Sequence, residues 1–190
     1  MNGWINSRIK KARWSGFAIW FALWFAYNWW AFNMNSPWTR ALAAAGGEVP
    51  ESQPGFPPIE PQRSLDALAA ADATGDYILW QALDIPYAIG NLFVTSIAIA
   101  LALKAVRLDK SALRYLLALP PLYVVCEIIE NSLVAAFAAK LVAPGEGAIL
   151  IQQAATSVKM ASGFGSMFLG LAALAIAAFA AIIGFFRKRS

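Results

Sequence analysis

The chain contains no histidine, and its 190 residues include a single cysteine, Cys126. The first absence removes the usual axial ligand of haem, the commonest metal ligand and the side chain that most often shuttles protons near neutral pH. A lone cysteine excludes an intrachain disulfide and a thiolate metal cluster. No glycine-rich phosphate loop follows a strand pattern, and no repeat of solenoid type recurs. Charge is scarce as well: 14% of residues are Asp, Glu, Lys or Arg, against roughly 25% in soluble domains. No metal and no cofactor are expected from such a composition.

What fills the chain instead is apolar. Hydrophobic residues make up 59%, against about 45–50% for soluble proteins. Such a chain has too little polar surface to cover itself in water, and four runs reach the roughly 20 residues needed to cross hydrocarbon. The expected fold is all-α, an integral membrane four-helix bundle forming one domain. The first span covers 14–34, the second 77–103, the third 115–139 and the fourth 160–186. Bulky aromatics through Phe32 make the first span an uncleaved anchor rather than a signal peptide. Trp4, Ile5 and Ile9, beside basic residues, suggest a short interfacial helix leading into it.

Basic residues set the expected orientation. Arg8, Lys10, Lys11 and Arg13 precede the first span, Lys104, Arg107, Lys110 and Arg114 fill the second connection, and Arg187, Lys188 and Arg189 end the sequence. Four alternating helices put all of these on one side, which the positive-inside rule makes cytoplasmic. Both termini are therefore expected inside, in a cytoplasmic (inner) membrane. The net charge of +4 thus reads as topology, and no nucleic-acid partner is expected.

The outer loop, 35–76, should hold two short helices. Ser36-Pro37 is a cap and first-turn pair ahead of one, which Gly46-Gly47 would stop. Five of the ten prolines fall within 48–63, which reads as extended coil. Ser64 then caps a second helix ended by Thr74-Gly75, and Leu65 and Leu68 would rest it on the membrane surface.

Inside the spans lies an unexpected polar pattern. Tyr77, Gln81, Asp84, Ala88, Asn91 and Thr95 recur at helical spacing along the second span. Tyr123, Glu127 and Glu130 do the same on the third, with Asn131 one turn from Glu127. Lipid-facing placement would strand these groups without partners, so both stripes should turn towards the bundle interior. Three carboxylates at membrane depth each cost a few kcal/mol, roughly, and repel one another when all are ionised. Lys159, at the outer end of the fourth span, can offset one of them. Ile85-Pro86 and Pro120-Pro121 should kink the two helices, as happens where a cavity is lined.

The ligand-binding candidates are therefore Asp84, Glu127, Glu130, Asn131, Asn91, Gln81, Tyr123 and Lys159. They point to a polytopic membrane protein with a buried acidic and polar site, binding or transporting a small molecule, lipid or cation. The alternative is a non-catalytic accessory or assembly subunit of a larger membrane complex. Membrane lipids are expected partners. A partner membrane protein would dock through Trp20 and Trp24, or through the Ser162, Ser166 and Gly170 face. Paired carboxylates can divide acid and base roles, but with no serine–base pair or metal motif beside them no catalytic residue is assigned.

Overall fold

A computed structural model of the chain describes residues 2–32, 35–47, 49–50 and 59–187, with backbone alone at 59–60 and 180–187. Among the described residues the fold is all-α. In chain order the α-helices are α1 (Asn2–Lys11), α2 (Trp14–Ala31), α3 (Pro37–Ala44), α4 (Ile59–Ala70), α5 (Thr74–Ala105), α6 (Leu119–Ala138) and α7 (Glu146–Arg187). A 3₁₀ helix, Ala112–Ala118, leads directly into α6.

Among the described residues three helices are long and apolar enough to cross a membrane: α5, the 3₁₀ helix continued by α6, and α7. The 18-residue α2 falls outside that set, because its five tryptophans and one tyrosine rate as weakly polar on hydropathy scales. Large apolar side chains nevertheless cover its surface, with Trp29 77% and Ile19 60% exposed. On α7, Phe168 is 70% exposed and Leu150 67%. A water-soluble monomer does not carry apolar surface on this scale, whereas acyl chains cover it without penalty.

The helices fall into two compact units, the first comprising Met1–Trp24, Gly90–Tyr123 and Met160–Ser190. Here Ile5 and Ile9 of α1 bury against Ile99, Leu101 and Leu103 of α5, with Leu117, Ala173 and Ala177 completing the cluster. Of the three apolar residues expected to lie in the membrane interface, Ile5 and Ile9 are thus buried inside the protein, while Trp4 stays exposed. Each fully buried side chain of that size contributes about 1.5–3 kcal/mol. The Lys104 ammonium donates to the carbonyl of Ala12, 3.0 Å away, which anchors the α1–α2 corner.

The face expected to receive a partner is occupied within the same unit. Trp20 stacks on Phe93, ring centroids 4.0 Å apart and 12° from parallel, and Trp24 lies directly against Gly90. Ser162 and Ser166 are buried, and Gly170 packs on Thr95. These groups pack this chain's own helices together, and nothing among the described residues points to a protein partner at them.

The second unit comprises Phe25–Ile89 and Val124–Lys159. Ser36 caps α3 as expected, its hydroxyl accepting from the Thr39 amide at 3.3 Å, with Pro37 in the first turn. Arg40 then clamps Asp76 in a two-point fork, 2.7 Å from Nε and 2.5 Å from Nη2, and so fixes α3 to the start of α5. Leu65 and Leu68 do not reach for membrane: both are buried with Tyr77, Val134 and Phe137.

Several boundaries differ from those expected, each for a local reason. Residues 51–58 of the expected coil lie outside the described residues, while 59–63 already belong to α4, with Pro61 tolerated in its first turns, where few amides need an intrahelical acceptor. Thr74-Gly75 opens α5 rather than ending α4. The chain reverses at Asp72 (φ 52°), whose left-handed backbone lets the Ala73 amide bond the Leu68 carbonyl at 2.9 Å. Arg107 and Lys140 end α5 and α6 in the same conformation (φ 58° each). Pro120-Pro121 occupies the first turn of α6, where the 3₁₀ helix hands over to it, whereas Pro86 sits in the interior of α5. The first span's helix ends at Ala31, and Asn33 and Met34 lie outside the described residues. The fourth span's helix starts fourteen residues before Met160, at Glu146.

Candidate functional site

The polar stripes bury as their spacing requires. Tyr77, Gln81, Ala88, Asn91 and Thr95 are all buried on α5, and Asp84 is half-buried. On α6 the usual pattern is inverted: Glu127 is 1% exposed, Glu130 0% and Asn131 2%, while Val125, Ile128 and Ile129 face outwards. An apolar exterior around a polar interior is the arrangement a lipid solvent selects, since a carboxylate facing acyl chains has neither water nor a donor.

Within the second unit, α5, α6 and α7 bring Gln81, Asp84, Glu127, Glu130, Asn131 and Lys159 together. Lys159 forms an ion pair with Oε2 of Glu130 and lies 3.4 Å from Oε1 of Glu127. Its side chain is 15% exposed, so the ammonium is largely withdrawn from the surroundings. The second oxygen of Glu130 accepts from the Thr156 hydroxyl and, at 3.5 Å, from the Gln152 amide. That amide also bonds the Thr156 hydroxyl at 2.8 Å, which orients it towards the carboxylate. One Glu130 oxygen thus faces the ammonium and the other takes Thr156 and Gln152.

The other two acids are held differently. Asn131 Nδ2 donates to the Gln81 carbonyl at 3.3 Å and lies 3.5 Å from Oδ2 of Asp84. The Asp84 carboxyl meets that of Glu127 at hydrogen-bonding range. No donor among the described residues reaches Oε2 of Glu127, although that atom is fully enclosed. Three carboxyl groups therefore surround one ammonium. In a medium of low dielectric this excess of negative charge calls for protons or for a cationic guest.

A proline interrupts the backbone ladder in the same region. Pro86 lacks the amide that would bond the Ala82 carbonyl, half a turn from Asp84. In that turn the Tyr27 hydroxyl of α2 donates to the carbonyl of Leu83. Tyr27 thereby ties α2 to α5 at the carbonyl next to the one that Pro86 leaves without its ladder donor.

Two of the expected site residues belong to the first unit instead. Asn91 is buried there, its carbonyl accepting from the Thr95 hydroxyl at 2.7 Å, and the Tyr123 ring packs against Gly163. Conversely, Gln152 and Thr156 are absent from the expected set, because 140–159 reads as a connector between spans. The signal is nonetheless there: Gln152, Thr156, Lys159, Ser162, Ser166 and Gly170 recur every three or four residues, one stripe running back from the apolar part of α7. Comparison of the chain with protein-family models, with curated proteins and with solved structures returns no match.

Proposed function

We propose that this is a multi-pass membrane protein crossing four times, α2 included, with both termini on the cytoplasmic side of an inner membrane. Its cluster of Asp84, Glu127, Glu130 and Lys159 binds a small molecule, a lipid head group or a cation, or carries it across. The observation that supports this is the surplus of buried acids. Interhelical packing needs no ionisable groups, because asparagine, glutamine and threonine supply hydrogen bonds of about 0.6 kcal/mol each without desolvating a charge. Three acids gathered about one lysine are costly to keep, and intramembrane acids of this kind mark binding sites and ion pathways.

Division of labour follows from the geometry. Glu130, ion-paired on one oxygen and hydrogen-bonded on the other, holds Lys159 in place, while Asp84 and Glu127 are the groups with capacity left for a ligand. Asp84→Asn and Glu127→Gln should each lower binding or transport at least tenfold, with folded protein recovered from the membrane in wild-type yield. Binding assays on lipid-reconstituted protein check this, and two variants that behave as wild type rule the site out.

A second reading, an accessory subunit of a membrane complex, is favoured by one observation: the exposed aromatic surface of α2, where Trp29, Trp30 and Phe25 are all more than half exposed. On that reading a stoichiometric protein partner accompanies the chain through purification in mild detergent, and Trp29→Ala with Trp30→Ala releases it. Recovery of the chain alone excludes it.

A further inference from the structure

We propose that the ion bound at this site is a proton, held between the carboxyl groups of Asp84 and Glu127; the inference rests on the binding-site reading above and names its ligand. The geometry requires something at that place. Glu127 is 1% exposed, its Oε2 has no donor among the described residues, and it faces a second carboxyl at hydrogen-bonding range. Two ionised carboxylates offer only acceptors to each other, so the contact becomes a bond when one of them carries a proton. A single proton does this with no rearrangement: it forms one O–H bond on either acid and the other acid accepts from it.

A metal ion fits the place poorly. Hard cations take six or more oxygen ligands, and among the described residues no group of three His, Cys, Asp or Glu side chains is arranged to hold one. The Lys159 ammonium, 3.4 Å from Oε1 of Glu127, already stands where a second cation would be repelled.

The charged and titratable groups facing the pair from each helix favour the same occupant. From α7 comes Lys159, and from α6 come Glu130 and Cys126. Tyr87 of α5 and Tyr27 of α2 lie within electrostatic reach of Asp84. Glu130 and Lys159 cancel as a pair. One proton then leaves Asp84 and Glu127 sharing a single negative charge, and the cluster as a whole one charge short of neutral, where full ionisation leaves two. Uptake and release at this pair would change the charge seen by any ligand bound beside it, which makes the proton a coupling ion.

Infrared difference spectroscopy of the purified full chain in lipid nanodiscs tests this. At neutral pH the wild type should show the C=O band of a protonated carboxyl, moving on exchange into deuterium oxide. Asp84→Asn and Glu127→Gln, each an uncharged stand-in for the protonated acid, should each lose that band, and Asp72→Asn should keep it. Labelling aspartate or glutamate carboxyls with carbon-13 assigns the band without any substitution, should a variant fail to fold. Absence of the band from wild type at neutral pH overturns the proposal. So does a band that responds to sodium or calcium at constant pH, since a metal ion then occupies the place. Wild type without the band, alongside an Asp84→Asn variant that has lost ligand binding, keeps the site and discards the proton. A band with functionally silent variants does the reverse.

Discussion

Lys159→Met should be the most damaging single substitution in the second unit, lowering stability by about 3–5 kcal/mol. The reason is not the value of the ion pair itself. Two charges withdrawn from water recover little net energy by pairing, but removing one of them leaves the other buried with nothing to offset it. Lys159 is the cation for both Glu130 and Glu127, and neither is more than 1% exposed. Methionine matches the length of the aliphatic stem, so lost packing contributes little. Thermal unfolding in detergent measures the effect. Adding Glu130→Gln should recover roughly half of it, because glutamine removes one stranded charge while still accepting from Thr156 and Gln152. Val158→Met, next in sequence but 41% exposed, should change stability by less than about 0.5 kcal/mol. A Lys159→Met variant as stable as wild type would show that the acids are not held as anions around it.

The second large effect is expected in the first unit, from glycine to alanine at three positions where helix propensity alone favours alanine by about 1 kcal/mol. At Gly90 an added Cβ would sit 2.7 Å from Cδ1 and 3.3 Å from Cβ of Trp24, and at Gly163 it would sit 2.8 Å from Cδ2 of Tyr123. Neither ring can yield by a small rotation, because the indole is gripped near its own Cβ and the phenol presents its whole edge. Overpacking of this kind costs about 1–3 kcal/mol, which exceeds the propensity gain. Gly170 differs, with its nearest neighbour, Cγ2 of Thr95, at 3.7 Å, an ordinary contact. Gly90→Ala and Gly163→Ala should therefore destabilise by 1–2 kcal/mol, roughly, and Gly170→Ala should be neutral or stabilising. Thermal unfolding of the three variants side by side gives the comparison. Equal effects at all three would mean that these helices do not approach as closely as described.

Much of this site is legible in the amino-acid sequence. Spacings of three and four pick out Tyr77, Gln81, Asp84, Ala88, Asn91 and Thr95 as one face, and the five that carry no charge are buried. The two glutamates of α6 are conspicuous because ionisable groups are rare in so apolar a run. Gln152 and Thr156 are easily passed over, because uncharged polar residues near the end of an apolar stretch raise no alarm, and Pro144 and Gly145 beside them suggest a connector. Pro120-Pro121 misleads in the opposite direction. Prolines within an apolar run read as a kink, but a 3₁₀ helix precedes them and places them in a first turn, where their missing amides are not needed.

Periodicity and composition by themselves determined that this chain is helical, that its long helices suit a membrane, and which face of each carries the acids. They could do so because the helical repeat is local and the absence of water in the surroundings sorts side chains by polarity. Only the tertiary structure decided that Lys159 belongs first to Glu130, that Glu127 is left facing Asp84, and that Trp20 and Trp24 are spent on α5. Those assignments depend on how far each helix is rotated and shifted against its neighbours, and a displacement of one turn, about 5.4 Å, exchanges one partner for another. No residue spacing within a single helix carries that information.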